Sequence, residues 1–139
     1  MVFVDSDLLI KCLQPKNNSI NKKARNFLTN LFENNSEVKI TIYNFAELYR
    51  GAYLSKKVAI NLGIIDKFLG QFELIFPTLE SVKEYSRISA NLKLKGQYIG
   101  DLDELIASIV ICSSDILYTR NINHFERIPL LELGNWEKI

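Results

Sequence analysis

Three short stretches of the chain gather polar groups at the ends of hydrophobic segments. Asp5 follows Val2, Phe3 and Val4 directly, with Ser6 and Asp7 beside it. Thr119, Arg120 and Asn121 follow the apolar run 116–118, and Asp101, Leu102, Asp103 and Glu104 open the apolar run 105–112. Carboxylates gathered in one pocket repel one another, and left unpaired they raise each other's pKa or destabilise the fold. A hard divalent cation relieves this, and oxygen ligands suit Mg²⁺ or Mn²⁺. No Cys/His spacing suited to zinc is present. Such an ion grips a phosphate oxygen and activates a water for attack, which implies hydrolysis of a phosphodiester or a phosphomonoester.

Each acid also fits an ordinary structural duty. Asp5 could cap a helix. Asp101 to Glu104 matches a capping box with Asp101 as the cap, leaving Asp103 to complement the helix dipole, and Asn44 to Glu47 fits the same spacing. Taken together the structural readings weaken, because a strand aims Asp5 at the edge where ligands collect. His124, the single histidine, reads as structural or surface beside Phe125, and Trp136 reads as a packing anchor for the C-terminus.

The elements that must position these groups alternate. Strands are expected at 2–4, 38–42, 72–76 and 116–118, with a fifth at 130–133. A short helix follows Asp5 until Pro15, and a second covers about 20–32 behind a loop that offers a cap. Asn44 is expected to cap a third helix; others cover about 60–69, 79–94 and 101–112. This alternation implies a mainly parallel sheet covered on both faces, with ligands outside the carboxyl ends of its strands.

Composition narrows the classes. A chain of 139 residues, 47% hydrophobic and 24% charged, points to one globular domain rather than a disordered tract. Two cysteines make no disulfide framework and fit a reducing compartment. The first residues lack the marks of a signal peptide, and no apolar run approaches the roughly 20 residues of a spanning helix, so a cytoplasmic protein is expected. A net charge of +1 does not announce a nucleic-acid binder, and the small lysine and arginine clusters read first as solvated faces.

The motifs resemble PIN domains. VFVDSDLLI resembles their opening strand and first acid, and NFAELYRGA their second motif, a helix carrying an acid before small residues. KGQYIGDLDELIASIVI resembles the third, an Ile-Gly-x-x-Asp-x-x-Ile-Ala pattern, and LYTRNINHFERIPLLELGNW the close of the VapC-type toxin branch. The four occur in order and cover nearly the whole chain. The resemblance implies a three-layer α/β/α fold over residues 1–139, with a central sheet of four to five strands. It implies a metal-dependent endoribonuclease, the toxin of a toxin–antitoxin pair. By position the metal-binding and catalytic acids are Asp5, Glu47 and Asp103, served by Mg²⁺ or Mn²⁺. Ser6, Thr119 and Asn121 are supporting residues; Asn121 stands where many members carry Asp. Arg120 is a candidate RNA contact, a reading from charge and placement. The resemblance further implies a small antitoxin partner and a homodimer.

Two rivals remain at this point. The same opening resembles a haloacid-dehalogenase-like phosphatase, which has no use for Glu47. A catalytically silent PIN-like binding module would normally lack one of the three acids.

Overall fold

The computed structural model describes residues 1–34 and 37–139. Among these, five strands form one sheet in the order β3-β2-β1-β4-β5: β1 (Val2–Val4), β2 (Val38–Thr41), β3 (Glu73–Ile75), β4 (Ile116–Tyr118) and β5 (Glu132–Gly134). All four pairings are parallel, and Val2 stands opposite both Val38 and Ile116. The helices are α1 (Ser6–Leu13), α2 (Ser19–Glu33), α3 (Ile42–Tyr53), α4 (Val58–Leu69), α5 (Leu79–Leu94), α6 (Asp101–Ser113) and the short α7 (Ile122–Phe125), followed by a 3₁₀ turn at Trp136–Lys138. No helix among the described residues is long and apolar enough to cross a membrane.

Because successive strand residues point to opposite faces, the short strand β1 serves two cores. Val4 packs with Leu8, Ala24, Phe27, Ile40 and Leu48 under α1 to α4, whereas Phe3 packs with Ile88, Leu92, Ile106, Val110 and Leu117 under α5 and α6. The result is the three-layer α/β/α architecture with a parallel sheet that the alternation of elements implied. Helix α2 buries Ala24, Phe27 and Leu28, one stripe at helical spacing. Helix α6 is more enclosed, with Ile106 to Val110 all buried. Fully burying one aliphatic side chain of this kind stabilises by about 1.5–3 kcal/mol, so the body of α6 behind its first turn is firmly anchored.

The chain leaves β1 toward β2 and later returns on the opposite side of β1 as β4. At such a switch point the connections diverge and open a crevice outside the carboxyl ends of the strands. Asp5 and Thr119 are the first residues beyond those ends.

Several boundaries differ from expectation. Strand β2 stops at Thr41 because Thr41, not Asn44, caps α3: its side chain accepts from Asn44 N–H. The cap of α6 is Gly100 rather than Asp101, at a φ of 115° that glycine adopts readily. Asp101, Asp103 and Glu104 therefore all fall in the first helical turn. Strand β5 lies at 132–134 rather than 130–133, because Leu130 turns the chain at φ 70°. The final residue of β5 is Gly134, and any side chain there would overlap the Tyr118 ring. Helix α4 begins earlier than expected, at Val58, and α7 was not anticipated.

Candidate active site

Asp5 continues the β1–β4 ladder by donating its backbone N–H to Tyr118 O at 3.2 Å. Its carboxylate is nearly buried, at 7% exposure. Oδ1 accepts from Leu8 N–H at 3.0 Å and so caps α1; Oδ2 accepts from Thr119 Oγ1 at 2.5 Å. The capping duty and a place in the crevice thus belong to the same side chain. Burial pushes the Asp5 carboxyl up to about 6; the Thr119 and Leu8 hydrogen bonds pull the other way, and the nearby Asp7 and Asp103 add to the rise.

Glu47 comes from the second turn of α3. Ser6 Oγ donates to its Oε1 at 2.7 Å, and Asn44 Nδ2 donates to Ser6 Oγ at 2.9 Å. Asp103 comes from the first turn of α6, where the helix dipole favours negative charge. Burial pushes its carboxyl up to about 6, with repulsion from Glu47 adding to the rise and His124 opposing it. Thr119, fully buried, donates its N–H to Gly134 O at 2.9 Å and accepts Asn121 N–H at 2.9 Å. Asn121 Nδ2 donates to His124 Nδ1 at 3.0 Å.

These elements enclose one cavity of about 140 Å³, lined by Asp5, Ser6, Asp7, Glu47, Asp103, Ile106, Asn121 and Phe125. The three acids expected from the sequence are thus brought together, with Ser6 and Asn121 beside them and Thr119 behind Asp5. As the side chains lie, no three His, Cys, Asp or Glu groups among the described residues are arranged to hold one ion. Asp5, Asp7 and Glu47 are instead turned partly toward protein donors. The donor set nevertheless suits a hard divalent cation: four carboxylates line the cavity, and no cysteine or histidine does. Burial chiefly raises Asp5 and Asp103, with like charge nearby adding to the rise, so a cation in the cavity would favour their ionised forms.

Asp7 was legible only as a neighbour of Asp5, yet it lines the cavity. The reason lies in Arg120, whose fork grips it with Nε at 2.8 Å from Oδ2 and Nη2 at 3.2 Å from Oδ1, a two-pronged geometry that fixes the carboxylate in orientation as well as place. Arg120 also reaches Glu137 at 3.6 Å and stacks over the buried Trp136 at 5.2 Å. The candidate RNA contact therefore holds an acid of the site. Asn44 was missed as a site residue because its spacing to Glu47 mimicked a cap.

A second depression, about 560 Å³ and mainly apolar, runs between α1, α3 and α4. Ile10, Leu13, Leu48, Gly51 and Ile64 are among its lining residues, as is Glu47, which also lines the acid cavity.

No family model matches the sequence. Ribonuclease VapC2 of Rickettsia felis is 37% identical over 122 residues, 86% of this chain and 91% of the relative. The tRNA(fMet)-specific endonuclease VapC of Salmonella typhimurium is 28% identical over 103 residues, 74% and 78% of the two chains. Among solved structures, that of VapBC2 from Rickettsia felis bound to a promoter DNA fragment superposes with a TM-score of 0.85 at 32% identity, covering 98% of this chain and 99% of that one. With the shared fold and 37% identity across nearly the whole length of the Rickettsia felis enzyme, this chain belongs to the VapC family of PIN-domain ribonucleases.

Proposed function

We propose that this chain is the endoribonuclease toxin of a cytoplasmic toxin–antitoxin pair, and that it hydrolyses RNA phosphodiester bonds with Mg²⁺ or Mn²⁺ held by Asp5, Glu47 and Asp103. The supporting observation is that these acids, from three elements far apart in sequence, line one small cavity at the carboxyl edge of the sheet. The ion, when bound, supplies a grip on a phosphate oxygen and a nucleophilic water near neutral pH.

The protein's own residues prepare the place. Thr119 and Leu8 N–H fix the Asp5 carboxylate from behind, leaving its remaining lone pairs for the cavity. Ser6 fixes one oxygen of Glu47 and leaves the other free. Asn121, steadied by Thr119 and His124, is a neutral polar group at the cavity wall. The phosphatase alternative is not favoured: it has no use for Glu47, and the relatives are named as nucleases.

For the partner we propose a small antitoxin that lays an apolar segment in the groove between α1, α3 and α4. Glu47 lines both that groove and the acid cavity, so an occupant would sit close to the acids. The test is cleavage of RNA by the purified chain with and without Mg²⁺, beginning with initiator tRNA, for which the Salmonella typhimurium relative is named. We expect metal-dependent cutting that Asp5→Asn abolishes. Cutting that survives in Asp5→Asn overturns the site assignment, and hydrolysis of simple phosphomonoesters without RNA cleavage overturns the function.

A further inference from the structure

Asn44 does not line the acid cavity, yet its side chain is wholly buried and hydrogen-bonded through both its oxygen and its nitrogen. Its Oδ1 accepts from Thr41 N–H at 2.8 Å and from Thr41 Oγ1 at 2.9 Å. These two donors leave the amide a single orientation. Nδ2, which can only donate, then faces Ser6 Oγ at 2.9 Å. A serine hydroxyl has one proton to give, and here Asn44 already donates into its lone pair. The Ser6 proton therefore goes to Glu47 Oε1 at 2.7 Å. The direction of every bond is thus set from Thr41, through Asn44 and Ser6, to Glu47. Asn44 and Glu47 lie three residues apart on one face of α3, while Ser6 begins α1 immediately after Asp5. The chain of bonds therefore also ties α3 to the strand end that carries Asp5.

We propose that Asn44 is a positioning residue for the Glu47 carboxylate, acting through the Ser6 hydroxyl, and that it tunes the divalent-ion affinity of the site without touching the ion. The proposal rests on the metal-binding reading of the cavity given above. Without the amide donor, the Ser6 hydroxyl is free to turn away, and Glu47 regains rotamer freedom that it must lose again to bind.

Asn44 also completes the cap of α3, so stability must be separated from positioning. Mn²⁺ is titrated by calorimetry into the metal-free full chain, with no RNA present, and melting temperatures are measured in parallel. We expect Asn44→Ala and Ser6→Ala each to weaken Mn²⁺ binding on the order of tenfold, the scale for groups that orient metal ligands. The double variant should be no weaker than Ser6→Ala alone. In a Glu47→Ala background, Asn44→Ala should change nothing further, whereas a merely loosened fold would weaken binding in both backgrounds. Asn44→Asp keeps both Thr41 bonds and loses only the donor to Ser6. It should also bind Mn²⁺ more weakly despite its added charge, and it carries the test if Asn44→Ala does not fold. Unchanged affinity in Asn44→Ala, losses that multiply in the double variant, or tighter binding by Asn44→Asp overturns the proposal. If the wild type binds no Mn²⁺, or Glu47→Ala binds it as the wild type does, the metal reading itself fails and takes the proposal with it.

Discussion

Thr119 Oγ1 donates to Asp5 Oδ2 across 2.5 Å, joining residues 114 positions apart that sit at the ends of adjacent strands. The same hydroxyl accepts the Asn121 N–H at 2.9 Å. One buried oxygen therefore fixes the orientation of the first acid and the start of the turn that carries Asn121. The contact exists because β1 and β4 are parallel neighbours, so their carboxyl ends meet at the same edge.

Asp5→Asn separates function from stability. The isosteric amide keeps an oxygen for Leu8 N–H but removes the charge, so metal-dependent RNA cleavage should be lost. Stability should move the other way. The Asp5 carboxyl rises from 3.8 to about 6 on folding, so the folded chain holds its proton more tightly than the unfolded chain does. Metal-free stability then falls as pH rises from about 4 to about 6, and stays low above that. Asp5→Asn should therefore be more stable than the wild type at pH 7.5 in EDTA, by up to about 3 kcal/mol, melt correspondingly higher, and lose that advantage near pH 4. Equal melting temperatures at both pH values would show that Asp5 carries no burial penalty.

Thr119→Val keeps the β-branched shape and removes the hydroxyl. Its hydrogen bond lowers the Asp5 pKa, so the variant's Asp5 should titrate above the wild-type value of about 6. Protons then compete harder with the metal, and the Mg²⁺ requirement for cleavage should rise more at pH 6.5 than at pH 8. The Asn121 N–H also loses its partner, at a cost of about 1–3 kcal/mol. Metal titrations of activity at the two pH values check this; an equal increase at both contradicts it.

The sequence made the long elements legible for a simple reason. Residues that bury one face of a helix repeat at 3.6, as those of α2 do, while the continuous apolar run of α6 marks a helix enclosed on most sides. The parallel order of strands followed from the alternation of elements, and it placed Asp5 and Thr119 at one edge. What stayed hidden depended on side-chain direction. The sequence cannot say that Asn44 faces inward to Ser6 while Thr41 caps the helix, since both residue types are preferred caps and Asn is the stronger of the two. Nor does it show Arg120 folding back on Asp7, a pairing across 113 positions set by the β1–β4 register and by Trp136 beneath the guanidinium.

Arg120→Ala should report on that pairing. Because the pair is partly exposed, its charge attraction contributes no more than about 1 kcal/mol. The stack on Trp136 adds about 0.5–1 kcal/mol, so a total loss near 1–2 kcal/mol is expected in chemical denaturation. Arg120→Lys should recover little, because an ammonium cannot form the two-pronged contact with Asp7. With the guanidinium committed to Asp7, the slope of log RNA affinity against log salt should stay at its wild-type value. A slope shallower by about 0.7–0.9 would instead assign Arg120 a direct phosphate contact.

Gly51 and Gly63 give a paired test of the apolar groove. Both sit in helices, α3 and α4, and a Cβ at either would meet nothing within 4 Å. Alanine restricts the unfolded chain and suits the helix, so each substitution should stabilise by about 0.4–1 kcal/mol. Only Gly51 lines the groove, where a new methyl would narrow the floor beside Leu48 and Ala52. If the proposed antitoxin seats there, Gly51→Ala should weaken its binding and resist neutralisation in cleavage assays, while Gly63→Ala is neutralised as well as the wild type. Equal neutralisation of both variants would move the partner's seat away from the groove between α1, α3 and α4.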